Sequence, residues 1–168
     1  FPEIVYGSFD SKLYVWKADG SNLPGFPFLA NGPILSSPAI GYMDGPGDVT
    51  PEIVFATVSD SLYVLEPDGK RRAGWPKFIK SGGNSKTPSP ALADMNNDGF
   101  LDVVFASTDG GVYAFNRDGS PLAPWTGVRY STLTFSASES SPVVADINGD
   151  GFNDVVCGGE EGQLTALS

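Results

Sequence analysis

The chain has 168 residues, enough for one domain with a sizeable core, and 20 acidic against 10 basic side chains give it a formal net charge of -10. That acidity argues against nucleic acid or an anionic membrane surface as partner, and no apolar run is long enough to insert into a bilayer. With no histidine, the usual general base is missing, and so is any His-based zinc or Ser-His-Asp site.

Glycine (21) and proline (14) are abundant and no stretch keeps apolar residues at a 3.6 spacing, which predicts short strands joined by tight turns. Phe1-Pro2 is neither an initiator Met nor a signal pattern, so a natural N-terminus is expected to have been removed. The first strand is Glu3-Ile-Val-Tyr-Gly7, followed by Leu13-Tyr-Val-Trp16 and an Asp19-Gly20 turn, a strong hairpin signal. Gly25-Phe-Pro-Phe28 comes next, its proline suited to an edge strand, and then Ser37-Pro-Ala-Ile-Gly41.

The same series returns as Glu52-Ile-Val-Phe-Ala56, Leu62-Tyr-Val-Leu65, the Asp68-Gly69 turn, Gly74-Trp-Pro-Lys-Phe78 and Ser89-Pro-Ala-Leu-Ala93. A third round runs through Asp102-Val-Val-Phe-Ala106, Val112-Tyr-Ala-Phe115, Asp118-Gly119, Pro124-Trp125 and Ser141-Pro-Val-Val-Ala145. A fourth holds Asp154-Val-Val-Cys-Gly158 and Leu164-Thr-Ala-Leu167. The repeats begin at 3, 52, 102 and 154, spacings of 49, 50 and 52.

We label the Ser-Pro-Ala strands A, the Glu/Asp-Ile/Val strands B, and the next two C and D. Four antiparallel strands in a repeat of this length predict an all-β fold, a β-propeller of four-stranded blades. The expected division of the single segment 1–168 is a partial blade at 1–33, blades at 34–85 and 86–136, and a partial blade at 137–168. That makes about three and a half blades, short of the roughly four that the smallest closed propellers hold. An open arc leaves apolar faces at both ends, so the chain is expected to be a fragment of a longer propeller or to close as a homo-oligomer.

Between strands A and B stand two near-identical nonapeptides, Asp94-Met-Asn-Asn-Asp-Gly-Phe-Leu-Asp102 and Asp146-Ile-Asn-Gly-Asp-Gly-Phe-Asn-Asp154. Oxygen-bearing side chains occupy positions 1, 3, 5 and 9 (Asp94, Asn96, Asp98, Asp102; Asp146, Asn148, Asp150, Asp154), with the backbone carbonyls of Phe100 and Phe152 available at position 7. Glycine at position 6, Gly99 or Gly151, supplies a positive-φ turn. This is the donor set of a loop that wraps a hard cation, and Ca²⁺ fits better than Mg²⁺, which keeps more of its waters. A polar turn that caps its own N–H groups accounts for one Asn-Asp-Gly but not for nine matching positions in two repeats. Two bound Ca²⁺ would bring the net charge from -10 to -6. A third, degenerate copy is Asp44-Gly-Pro-Gly-Asp-Val-Thr-Pro-Glu52, with Asp44, Asp48, Thr50 and Glu52 as candidate ligands. Read at positions 1, 5 and 9 it keeps its acids, but Pro46 and Val49 replace a ligand and the glycine, so a weak site or an empty one is expected.

The Asp-x-Asn-x-Asp-Gly-x-x-Asp loop followed by Val-Val resembles the FG-GAP/VCBS repeat family, the calcium-loop propellers that include the integrin α-subunit head. The resemblance covers essentially the whole chain, although the Phe-Gly and Gly-Ala-Pro signatures are not kept as such. It implies that the calcium loops lie on one face of the disc and that ligands, protein or glycan, bind the opposite face. The module is then an extracellular or cell-surface binding domain without catalysis. The alternatives are a lyase-like polysaccharide-active domain, since some lyases resemble such propellers, or a purely architectural half-propeller.

On the expected ligand face, Asp10, Asp60, Asp109, Glu160 and Glu161 all fall in the B–C turns, where turn chemistry competes with cation binding as their role. Phe26, Trp75 and Trp125 share one repeat position and read as interblade core rather than as sugar platforms. Cys157 replaces Tyr6, Phe55 and Phe105 and reads as a buried apolar residue. The basic run Lys70-Arg71-Arg72 reads as a solvated edge or an intermolecular salt-bridge patch.

Overall fold

The computed structural model describes residues 3–79, 87–129, 140–159 and 162–168. Among the described residues, fourteen strands form four separate antiparallel sheets in chain order. The first sheet is β1 (Ile4–Gly7), β2 (Lys12–Trp16) and β3 (Phe28–Leu29), that is, strands B, C and D. The second runs β4 (Ala39–Gly41), β5 (Glu52–Ala56), β6 (Ser61–Leu65) and β7 (Lys77–Phe78), in the order A-B-C-D. The third repeats it with β8 (Ala91–Ala93), β9 (Asp102–Ala106), β10 (Gly111–Phe115) and β11 (Pro121–Arg129). The fourth holds β12 (Val143–Ala145), β13 (Asp154–Gly158) and β14 (Leu164–Leu167), strands A, B and C. These are blades of a propeller, with β4, β8 and β12 adjacent along one side.

Each central strand serves two cores at once, because its side chains alternate between faces. In β5, Ile53 and Phe55 pack toward the first blade while Val54 and Ala56 pack toward the third. In β9, Val103 and Phe105 face the second blade, and Val104 and Ala106 the fourth. All five residues of β5 and of β9 are buried, so these strands read as continuous apolar runs behind an acidic first residue. Phe55 stacks on Tyr63 at 5.1 Å, and Phe28 meets both rings edge-on.

Phe26, Trp75 and Trp125 each plug one of the three interblade cores, as the repeat position predicted. Phe26 and Trp75 lie just before two-residue outer strands, and Trp125 lies within the nine-residue β11. Trp75 Nε1 donates to the Arg117 carbonyl of the next blade at 3.1 Å. The preceding glycines, Gly25 and Gly74, sit at φ +91° and +85° against the Asp68 and Asp118 carbonyls, where any Cβ would lie 2.0 Å from the oxygen. The Asp-Gly turn of one blade thus locks against the outer strand of the blade before it.

The Ser-Pro motif of strand A also joins blades. The N–H of Ser37 donates to Ser89 Oγ at 2.8 Å, and that of Ser89 to Ser141 Oγ at 3.0 Å. Along the same elements Ser36 Oγ bonds both N–H and C=O of Ala56, and Ser140 Oγ those of Gly158. The two end sheets keep apolar side chains in water: Ile4 and Tyr6 on the first, Val143 and Leu164 on the fourth.

Two outcomes follow from this packing. Phe55→Ala empties a fully buried site shared by two blades and should cost about 3–5 kcal/mol, read as a lowered midpoint in urea. Burial pushes the Cys157 thiol up to about 11, so a thiol reagent at pH 8 should label the native protein far more slowly than the denatured one.

Candidate metal-loop face

All three A–B loops are closed by the same contact. A carboxylate on the first residue of strand B turns back and accepts the N–H one residue after the start of the loop: Met43 to Glu52 at 2.8 Å, Met95 to Asp102 at 3.0 Å, Ile147 to Asp154 at 2.9 Å. Each of these acids is about 1% exposed. Position 9 is therefore both a candidate ligand and a hairpin clamp.

In the loop at 94–102, Asp94 accepts the N–H groups of Asp98 (3.1 Å) and Gly99 (2.8 Å), while Asn96 accepts Asp98 N–H and Asp98 accepts Phe100 N–H. The 146–154 loop repeats this: Asp146 accepts from Gly149 and Gly151, Asn148 from Asp150, and Asp150 from Phe152. Gly99 and Gly151 adopt φ +86° and +89°, the left-handed turn expected of them. Position 4 is left-handed too, at Asn97 (+59°) and Gly149 (+80°), which asparagine and glycine tolerate better than other residues. The two loops are also joined. Asn97 Nδ2 donates to the Gly151 carbonyl at 2.8 Å, and Asn153 Nδ2 to the Asp94 carbonyl at 2.7 Å.

Burial raises the Asp102 carboxyl to about 6, and the negative charges of Asp98 and Asp94 push the same way against the stabilising Met95 N–H. Asp154 is lowered instead, chiefly by the hydroxyl of Ser168, with the Ile147 N–H adding to it. A buried acid under the negative charge of two others is an environment that a divalent cation would relieve.

The degenerate loop departs from its sequence alignment. Ala93 pairs with Asp102 and Ala145 with Asp154, but Gly41 pairs with Glu52, so this loop is two residues longer. Tyr42 stands at position 1 and Asp44 at position 3; Asp44 is not the position-1 acid that the sequence reading made it. Asp48 keeps its place, accepting the N–H and hydroxyl of Thr50. Among the described residues, Asp44, Asp48 and Glu52 form the group whose carboxylate oxygens converge, all within 4.8 Å of one another.

At the B–C turns, Asp10 accepts the Lys12 N–H (3.1 Å) and the Tyr14 hydroxyl (2.8 Å), and Asp109 accepts the Gly111 N–H (2.9 Å) and the Tyr113 hydroxyl (2.7 Å). The Tyr14 hydroxyl lowers the Asp10 carboxyl. Asp60 is one residue further along, in the left-handed slot that Ser11 and Gly110 occupy in neighbouring blades. Glu160 and Glu161 lie outside the described residues. Between the second and third blades, a cleft of about 20 Å³ beside Asp60, Ser61 and Thr108 has room for a water molecule and little more.

Among solved structures, the chain resembles BamB from Moraxella catarrhalis (TM-score 0.69, 17% identity), covering 98% of this chain and 42% of that one. It resembles equally the C-terminal domain of Pseudomonas aeruginosa PilY1 (TM-score 0.69, 19% identity, 99% and 38%). The BBS1N chain from a complex with ARL6DN follows at TM-score 0.65 and 11% identity, over 98% and 42%. These are propellers, and at such identities the likeness shows the fold alone. The chain spans about two fifths of each. No curated protein matches it. The model of the FG-GAP-like repeat matches residues 44–105 and 94–157, together more than half of the chain. Each match runs from one of the loops described above through the next, and the chain belongs to the FG-GAP-like repeat family.

Proposed function

We propose that this is a calcium-stabilised, non-catalytic propeller module that binds a protein or glycan on the face opposite its A–B loops, in an extracellular or cell-surface setting. The observation that carries the calcium reading is the buried Asp102, whose carboxyl the negative charges of Asp98 and Asp94 raise further, in a loop of oxygen-bearing side chains. Asp94, Asn96, Asp98, the Phe100 carbonyl and Asp102 would hold one ion; Asp146, Asn148, Asp150, the Phe152 carbonyl and Asp154 would hold the other. Bound calcium supplies positive charge and fixes the A–B hairpin, with no part in bond making. Membership of the FG-GAP-like family supports this reading.

A ligand that binds only the folded state adds about 2.7 kcal/mol at a hundredfold excess over its Kd. Asp98→Ala or Asp150→Ala should therefore lower the melting temperature in calcium and leave the melt in chelator nearly unchanged. Equal losses in both conditions would remove the structural role. For the binding face, a glycan array is the direct assay, and turnover of an acidic polysaccharide would overturn the non-catalytic reading.

We also propose that the apolar outer faces of the first and fourth sheets are covered, by further blades or by a second copy. Ile4, Tyr6, Val143 and Leu164 are each more than half exposed. Sedimentation of the isolated chain as a stable monomer would exclude closure by a second copy.

The metal-free protein should also show an acid-side signature. Because the folded Asp102 carboxyl is raised above its ordinary 3.8, its contribution favours folding below about pH 4 and is lost as pH rises through about 6. Melting curves in chelator should fall over that window in the wild type more than in Asp102→Asn.

A further inference from the structure

The second blade carries a charged side chain where its neighbours carry an apolar one. Three residues after the Asp-Gly glycine, the first and third blades hold Leu23 and Leu122, each packed against an interblade core. The second holds Arg72, whose side chain is only 13% exposed. Nη2 of its guanidinium contacts Asp44 Oδ1, Nη1 lies 3.4 Å from Glu52 Oε1, and Nε lies 3.6 Å from Glu66 Oε1. Each nitrogen of the fork lies near a different carboxylate, but only Nη2 makes a hydrogen bond, and the buried Nη1 is held to Glu52 by charge alone.

Glu66 is itself a departure. It follows strand C, where the third and fourth blades have the neutral Asn116 and Ser168, each within 3.4 Å of the position-3 asparagine of its own loop. The exchange of leucine for arginine and of a neutral residue for glutamate falls in the blade whose loop lacks the position-1 acid and the glycine. Three carboxylates within 4.8 Å repel one another unless a cation neutralises them, and here a guanidinium lies against two of them. A planar fork suits this place better than an ammonium, since it bonds in several directions and tolerates burial. Arg117 of the third blade adds a second cation: Nη1 lies 3.2 Å from the same Asp44 oxygen, and its guanidinium sits 3.8 Å over the Phe100 ring.

We infer that Arg72 is the resident cation of the 44–52 loop, closing it by ion pairs to Asp44, Glu52 and Glu66 where the sister loops take a metal, so that this blade binds none. The comparison with the sister loops rests on the calcium reading proposed above, but the ion-pair cluster is measurable without metal.

The test is a double-mutant cycle in chelator. Arg72→Leu installs the residue of the neighbouring blades and should lower the melting temperature by several degrees; adding Asp44→Asn should then cost less than it does in the wild type. Strictly additive losses would overturn the inference. Should Arg72→Leu fail to fold, the same cycle with Arg72→Lys, which keeps a charge but loses the fork, replaces it. Calorimetric titration with calcium supplies an independent arm, in which Asp48→Asn should bind as many equivalents as the wild type. A lost equivalent in Asp48→Asn would make the loop a metal site and defeat the proposal. If the wild type bound no calcium, the reading of the sister loops would fall while the chelator cycle still decided the role of Arg72.

Discussion

The contact on which each blade with an A–B loop depends is a single hydrogen bond from the second residue of that loop to a buried carboxylate on the first residue of strand B. It fixes where strand A ends and strand B begins, and with that the register that sends alternate side chains to two different cores. A carboxylate in that position cannot be left alone. Its desolvation is offset by the backbone N–H, and the remaining charge calls for a cation or a hydrogen-bond donor. The three blades differ in what stands near that acid: the further negative charges of Asp94 and Asp98 for Asp102, a hydroxyl from Ser168 for Asp154, and a guanidinium beside Glu52. The clamp is constant, and what stands beside it varies.

The blades hold together through contacts that repeat with the same period. The hydroxyls of Ser89 and Ser141 each accept an N–H from the blade before, an aromatic plug fills each interblade core, and the Asp-Gly turn lies against the preceding blade's outer strand. The loop face adds its own links, with Asn97 and Asn153 bonding carbonyls of each other's loops. Ordering one loop therefore presents a fixed carbonyl to the next.

Much of this was legible in the sequence, because the features that set the fold are periodic. Strands B and C, the Asp-Gly turns, the glycines at loop position 6 and the plugs at Phe26, Trp75 and Trp125 all recur at one spacing, and recurrence identifies them without any partner being seen. What the sequence hid was register. Aligning the degenerate loop on its acids placed Asp44 at position 1, whereas strand pairing places Tyr42 there, since a two-residue insertion is invisible when a chance acid fills the gap. Asp60 was likewise grouped with Asp10 and Asp109, although Ser59 holds their place and Asp60 takes the left-handed slot. The interblade role of Ser37, Ser89 and Ser141 had a signal, the repeated Ser-Pro, but its partner lies 52 residues away along the chain.

Arg72 shows the same limit from the other side. Within the run Lys70-Arg71-Arg72 it looks like one of three solvated charges, and its neighbours in sequence give no reason to single it out. Strand C ends beside the A–B loop of its own blade, so a residue that returns past the Asp-Gly turn arrives next to that loop's acids. Its meaning comes from the column it occupies, where Leu23 and Leu122 are half-buried against the interblade cores. A charge in an otherwise apolar column requires a counter-charge at the same depth, and the acid of the hairpin clamp is the one that every complete blade already keeps there.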